Sequence, residues 1–122
     1  MWFDCPGDKN ICVMKNAKAS DFKDEVELAP APINLNGADS QPFLTDDGQT
    51  LYFTSDRDGG ILAIYKSMRQ GGGWSEPVKF ISDPSGVAEV SITADGKEMV
   101  FAQLFWRGDG TPGLDIYYSY KR

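Results

Sequence analysis

The sequence contains the stretch Phe43-Leu44-Thr45-Asp46-Asp47-Gly48-Gln49-Thr50-Leu51-Tyr52-Phe53. A similar stretch lies 48 positions later, Ser91-Ile92-Thr93-Ala94-Asp95-Gly96-Lys97-Glu98-Met99-Val100-Phe101. Thr, Asp, Gly and Phe recur at matching places in the two stretches. The first stretch is followed by Ile64-Tyr65-Lys66-Ser67, and the second by Ile116-Tyr117-Tyr118-Ser119. A repeat of roughly fifty residues indicates an architecture in which each unit buries its faces against its neighbours.

The N-terminal part of the chain is a diverged copy of the same unit. Met1-Trp2-Phe3 aligns with Leu51-Tyr52-Phe53, and Val13-Met14-Lys15-Asn16 aligns with Ile64-Tyr65-Lys66-Ser67. Residues 22–28 align with Trp74-Ser75-Glu76-Pro77-Val78-Lys79-Phe80. We therefore predict one all-β domain of three units, with a partial unit at 1–35, a full unit at 36–84 and an incomplete unit at 85–122.

Each unit is predicted to hold four antiparallel strands, A to D. In the central unit these are residues 41–45, 50–55, 61–68 and 74–81, because β-branched and aromatic runs alternate there with Asp-Gly and Gly-rich turns. The chain then runs B-C-D, A-B-C-D, A-B-C. Residues 21–28 carry helix-like charges, but their alignment favours a strand. Gly48 and Gly96 should adopt positive φ in the A–B turns.

These motifs resemble the WD40-like repeat of TolB-type bacterial β-propellers. Pro42 to Gly48, Leu51 to Arg57 and Ile64-Tyr65 follow that pattern, and Trp74-Ser75-Glu76-Pro77 is similar to its W-x-x-P element. The resemblance implies four-stranded propeller blades, an Asp at 115 that bonds backbone or a turn, and a location in the bacterial periplasm or cell envelope. The sequence departs from the pattern at Ala102-Gln103-Leu104. A weaker alternative is the sialidase Asp-box, of which Gln70 to Trp74 keeps the Gly and Trp but lacks the Ser and Asp.

Composition excludes several classes of function. The 122 residues are 41% hydrophobic and 25% charged, with a net charge of -6, so nucleic acid and anionic membranes are disfavoured partners. The absence of histidine removes Ser-His-Asp and Cys-His catalysis and His-containing metal sites. No apolar run is long enough to span a bilayer, and no signal peptide is visible.

The two cysteines, Cys5 and Cys12, are not spaced as a C-x-x-C redox or zinc motif. Two interpretations stay open: two buried thiols, or a disulfide across a hairpin.

The candidate binding surface is formed by the B–C loops, predicted at 6–10, 56–60 and 106–113. They would bring charges and a tryptophan to one face, with the binding residues Asp56, Arg57, Asp58, Trp106, Arg107 and Asp109, and Asp8 and Lys9 beside them. The alternative is that the charges solubilise hairpin ends and that Trp106 packs over a sheet edge. Neither catalytic residues nor a metal or cofactor site is predicted, because Asp46, Asp47 and Asp95 sit in turns and no dense ligand spacing occurs.

Six aromatic residues alternate along the predicted strands and are expected to form the core between units: Tyr52, Phe53, Tyr65, Phe101, Tyr117 and Tyr118.

We expect a non-catalytic protein-binding or scaffolding module. An alternative is a carbohydrate-binding or carbohydrate-active propeller fragment, suggested by Trp74, Trp106 and the many aspartates. A short stack of such units would expose two apolar terminal faces, which drive association. The expected partner is a second copy in a homodimer, or another protein chain. A third outcome is a rearranged, smaller closed sheet.

Overall fold

A computed structural model describes residues 1–15, 25–35 and 37–122. The described residues form an all-β structure of three antiparallel sheets, and no helix occurs among them. None of them forms a helix long and apolar enough to cross a membrane. The strands are β1 (Trp2–Asp4), β2 (Ile11–Met14), β3 (Val26–Leu28), β4 (Asp39–Leu44), β5 (Thr50–Ser55), β6 (Ala63–Gln70), β7 (Gly73–Trp74), β8 (Val78–Ile81), β9 (Val87–Ile92), β10 (Glu98–Trp106) and β11 (Pro112–Tyr120).

The first sheet is β1-β2-β3, the second is β4-β5-β6 with β7 and β8 on the far edge of β6, and the third is β9-β10-β11. This order of strands agrees with the predicted sequence B-C-D, A-B-C-D, A-B-C. The bounds of three strands of the second sheet differ: strand A is Asp39–Leu44, and strand C begins at Ala63. Strand C of the second sheet runs to Gln70, and strand D is divided because Pro77, which has no N–H to donate, separates β7 from β8. Residues 22–24 and Asn16, which the repeat alignment covered, lie outside the described residues.

The two A–B turns are built alike, which explains the strongest part of the repeat. In the first turn the Thr45 hydroxyl donates to Asp47 Oδ1 at 2.6 Å, and the Gln49 amide donates to the same oxygen at 3.0 Å. Thr93, Asp95 and Lys97 make the same bonds at 2.7 and 3.0 Å. Gly48 and Gly96 have φ of 68° and 67°, as predicted.

The register of the first sheet corrects two repeat alignments, that from Val13 and that of residues 26–28, in which Leu28 is the equivalent of Lys79 and not of Phe80. Phe53 pairs with Tyr65 and Phe101 pairs with Tyr117, but Phe3 pairs with Cys12. Cys12, and not Met14, is therefore the equivalent of Tyr65. The alignment from Val13 was displaced by two residues because the apolar run 11–14 offers no polar marker of register.

The core lies between the sheets in two clusters. Between the first and second sheets, Ile11, Leu51, Phe53, Tyr65 and Trp74 are buried, and Trp2 packs edge-on against Trp74 with ring centroids 5.5 Å apart. Between the second and third sheets a smaller cluster centres on three buried residues, Ile64, Val87 and Val90.

The aromatic prediction holds for part of its set. Phe53 and Tyr65 are buried, and Tyr52 and Phe101 are half-buried and pack at the second cluster. Tyr117 and Tyr118 are exposed. Their prediction as core was wrong because β11 pairs only with β10 along the described chain, so this strand is the edge of the last sheet.

In two places, a bulged residue in the first strand of a sheet forms a hydrogen bond with the preceding sheet. Gln41 and Glu89, 48 residues apart, have positive φ of 52° and 58°, a conformation that costs non-glycine residues energy. Both lie where the ladder register shifts. The Gln41 amide donates to Asp4 Oδ1, and the Glu89 amide donates to Thr54 Oγ1 at 3.2 Å.

Candidate binding surface

Arg57, one of the predicted binding residues, points into the protein. Its side chain is 9% exposed and that of Asp39 is 1% exposed, and the two form an ion pair at 2.7 Å. The guanidinium also donates to the Ser55 hydroxyl at 3.0 Å and stacks over the Phe53 ring at 4.9 Å. Because these donors are used internally, the guanidinium is not available on the surface and joins the loops of the first two units.

Asp56 and Asp58 have different surroundings in the same loop. Asp56 Oδ1 accepts from the Ala38 amide at 2.7 Å, so this carboxylate fixes the connection between the first and second sheets. Asp58 is exposed and accepts from the Tyr65 hydroxyl at 2.8 Å, with Lys79 at 3.6 Å. The Tyr65 hydrogen bond lowers the pKa of Asp58. Burial, followed by that bond, raises the pKa of Tyr65 to about 12.

Trp106, the last residue of β10, and the loop that follows it hold the other three predicted residues. Trp106 is 69% exposed, so it does not pack over a sheet edge. Arg107 is exposed and donates to the Pro112 carbonyl at 2.7 Å. Asp109 accepts from the Thr111 hydroxyl at 2.6 Å, and this bond lowers the pKa of Asp109. Of these three residues, Trp106 has the largest apolar surface open to a partner.

The first loop is closed by a disulfide between Cys5 and Cys12. Of the two interpretations of these cysteines, the disulfide across a hairpin is the one the structure shows. Asp8 and Lys9 are exposed at the tip, and the Lys9 carbonyl accepts from the Asp39 amide at 2.9 Å.

The predicted set is therefore divided between structural and surface roles. Arg57, through the Pro32 and Ile33 carbonyls, and Asp56, through the Ala38 amide, bond the segment that connects the first and second sheets. Asp58, Trp106, Arg107 and Asp109 are exposed at the ends of two different hairpins. Asp115, for which the resemblance implied a hydrogen bond to backbone or a turn, lies within β11 opposite Gln103. Trp74 is buried in the core, so it cannot stack on a sugar ring without unfolding.

A row of exposed apolar residues lies at one end of the stack, where the sequence predicted an apolar terminal face, and of its members only Trp106 was a predicted binding residue. We call it the terminal face: the side of the β10–β11 hairpin opposite the second sheet. The cross-strand pairs Val100–Tyr118, Ala102–Ile116 and Leu104–Leu114 lie on it. Its exposed members, with the exposed fraction of each, are Val100 38%, Trp106 69%, Leu114 59%, Ile116 72%, Tyr118 58% and Tyr120 54%.

The opposite end of the stack has a second apolar face. We call it the leading face: the side of the first sheet that carries Phe3, the disulfide, Met14 and Leu28. Cys12 pairs with both Phe3 and Leu28, which places these three on one side. Met1 is 51% exposed, Val26 44% and Leu28 61%.

A cleft of about 560 Å³ lies between the second and third sheets at their A–B turns. It is lined by the side chains of Phe43, Tyr52, Phe80, Ile92 and Met99, by Lys66, and by residues of both A–B turns. Among the described residues, no three acidic or cysteine side chains are grouped as metal ligands.

Comparison with known proteins assigns no family. A scan against protein-family models finds no match to this chain. A search of the curated proteins also finds no match.

Proposed function

We propose that the chain is a non-catalytic protein-binding or scaffolding module built from TolB-like propeller repeats. The observation that carries this proposal is the terminal face, an apolar sheet surface with Ile116 72% exposed and Trp106 69% exposed. Monomeric soluble proteins rarely leave such a surface open, and large apolar patches with aromatic residues are typical of protein interfaces.

The propeller assignment is supported by the way the sheets stack. Each sheet is antiparallel, each repeats the same strand order, and β4 and β9 both bond backward to the preceding sheet through a bulged residue. A fixed sheet-to-sheet contact of this kind, repeated along the chain, is how radial arrays of blades are built.

The non-catalytic part of the proposal follows from how the polar groups are used. The sequence has no histidine, and Asp47, Asp95 and Asp109 accept hydrogen bonds from their own turns. These carboxylates are structural acceptors, and Arg57 is occupied by Asp39.

Site-specific photo-crosslinking tests this function. A benzophenone amino acid is placed at Ile116 on the terminal face, and in a control at Ile61, which is 50% exposed in the β5–β6 loop. We expect protein adducts from position 116 and few from position 61. Adducts in equal yield from both positions would contradict the proposal. A glycan array that binds the chain and loses it on Trp106→Ala would favour the carbohydrate-binding alternative.

A further inference from the structure

We propose that the terminal face of one copy binds the leading face of a second copy, so that copies join head to tail. This inference depends on the proposed protein-binding function, and it identifies the binding partner as a second copy of the same chain. Its basis is that the chain already makes this kind of contact twice inside itself.

The two internal interfaces join the same two kinds of surface. At the first, Ile11 of the first sheet meets Leu51 and Phe53 of the second. At the second, Ile64 of the second sheet meets Met99 and Phe101 of the third. In each case a buried isoleucine of a β-hairpin faces a leucine or methionine and a phenylalanine on the following sheet.

The terminal face corresponds to the side of these interfaces that carries the isoleucine, and no further strand of the described chain pairs with β11 or covers it. Ile64 pairs with Thr54 and Ile116 pairs with Ala102, the residue 48 positions after Thr54, so the two isoleucines are structural equivalents. Ile64 is 0% exposed beneath the third sheet, whereas Ile116 is 72% exposed.

The leading face corresponds to the other side of these interfaces, the one that carries a leucine or methionine and a phenylalanine, and it is open at Met1, Val26 and Leu28. Met1 and Phe3 align with Leu51 and Phe53, which cover the first sheet and are both 0% exposed. Met1 is 51% exposed, Phe3 is half-buried, and Leu28 beside them is 61% exposed. Each copy therefore has one open surface of each kind.

Charge does not oppose this pairing at the contact itself. The net charge of -6 repels copies at a distance, but the terminal face carries a single carboxylate, Glu98, at one end of β10. The leading face presents Met1, Val26 and Leu28, with Phe3 half-buried beside them and Met14 and the disulfide buried beneath. Contact between these surfaces removes mainly apolar area from water, which lowers the free energy.

A contact between two different faces is heterologous, and it predicts a result that a face-to-self contact cannot give. Ile116→Asp blocks the terminal face and Leu28→Asp blocks the leading face. In an equimolar mixture, the intact terminal face of the Leu28→Asp chain still meets the intact leading face of the Ile116→Asp chain. The mixture therefore regains one contact although each variant alone has none.

Sedimentation velocity at micromolar concentration measures these states. We expect the unmodified chain to sediment as an assembly heavier than its 13.4 kDa, and each variant alone to sediment as a monomer. The mixture should form a species of twice the monomer mass. Ile61→Asp, at an exposed loop position off both faces, should assemble like the unmodified chain.

Three results would overturn the inference. One is an unmodified chain that stays monomeric; a second is variants that assemble normally; a third is a mixture that stays monomeric while the unmodified chain assembles. Each variant is checked for an unchanged urea midpoint, and Leu114→Lys and Val26→Lys replace any that does not fold. A monomeric chain that still crosslinks a different protein through position 116 would refute this inference and leave the proposed function in place.

Discussion

Arg57 shows how a residue that looks like a surface charge can be part of the core. In sequence it ends a hairpin between two aspartates, which suggests a solvated loop. In the structure its planar group bonds Asp39 and lies over the rings of Phe53 and Tyr65 at 4.9 and 5.2 Å. The arginine fork suits this position because it can make several directed hydrogen bonds while its flat face stacks on aromatic rings.

Replacing Arg57 by Met should lower the free energy of unfolding by about 3 to 5 kcal/mol, because it leaves the buried Asp39 carboxylate without its counter-charge. Urea denaturation followed by tryptophan fluorescence measures this loss. Adding Asp39→Asn to Arg57→Met should recover part of it, since the remaining buried group is then neutral. Arg107→Met, at an exposed arginine, should change stability by no more than about 0.5 kcal/mol. Equal effects of the two arginine variants would show that the ion pair does not stabilise the fold.

A substitution at Thr54 can test the hydrogen bond between the second and third sheets, because a single oxygen atom accepts it. Its hydroxyl oxygen, buried at 1% exposure, accepts from the amide of Glu89 in the next sheet. Thr54→Val keeps the shape and leaves that amide without its acceptor, which should cost about 1 to 3 kcal/mol. Thr54→Ser keeps the oxygen and should lose less than Thr54→Val, as measured by the urea midpoint. A serine variant no more stable than the valine variant would mean that this bond does not contribute.

At the scale of elements, the A–B turns make stability depend on pH. Hydrogen bonds from Thr45 and Thr93 lower the pKa of Asp47 and Asp95 below the ordinary 3.8. A carboxyl whose pKa is lower in the folded state binds fewer protons there, so its contribution is full above pH 3.8 and is lost as the pH falls through the folded value. The double variant Asp47→Asn, Asp95→Asn should therefore show a smaller drop in urea midpoint on acidification than the unmodified chain. Asp46→Asn, in the same turn, is the control and should keep the full drop.

The turns and strand order could be predicted because they depend on local chemistry. The Thr-x-Asp-Gly turn, Thr45 to Gly48, closes through bonds among neighbouring residues, and Gly48 and Gly96 supply the positive φ it needs. The buried Arg57 pair could not be predicted this way, because Asp39 lies 18 residues away and only the folded chain brings the two together. The exposure of Tyr118 was missed for a related reason: a strand pattern gives alternation of sides but not which side is covered.

The sheet-to-sheet contacts of Gln41 and Glu89 could have been found from residue spacing in the sequence, although not from its composition. The two residues are separated by the same 48 positions as the turn motif, and their acceptors, Asp4 and Thr54, each follow the aligned phenylalanine. The third sheet has Ala102 at the matching place, without an oxygen in its side chain. In the proposed head-to-tail contact, the terminal face would therefore pack through apolar side chains without this polar contact.

For the molecule as a whole, burial falls from the middle of the stack to its ends. The second sheet is covered on both sides, with Leu51, Phe53 and Ile64 at 0% exposure, whereas β11 is an edge strand on an open face. Local opening is easiest where few apolar contacts must be broken, so stability should be graded along the stack.

Hydrogen–deuterium exchange should detect this gradient. At low protein concentration, amides in β5 and β6 should exchange slowest and those in β11 fastest, because opening β11 breaks pairing with β10 alone in the described chain. Raising the concentration should slow exchange in β11 and in β3, where the two open faces meet a second copy, and should leave β5 unchanged. Mass spectrometry of peptides spanning Thr50–Ser55 and Pro112–Tyr120 follows both regions in one sample. Strong protection of β11 that persists on dilution would mean that the terminal face is covered within a single chain, which would remove the physical reason for any partner there.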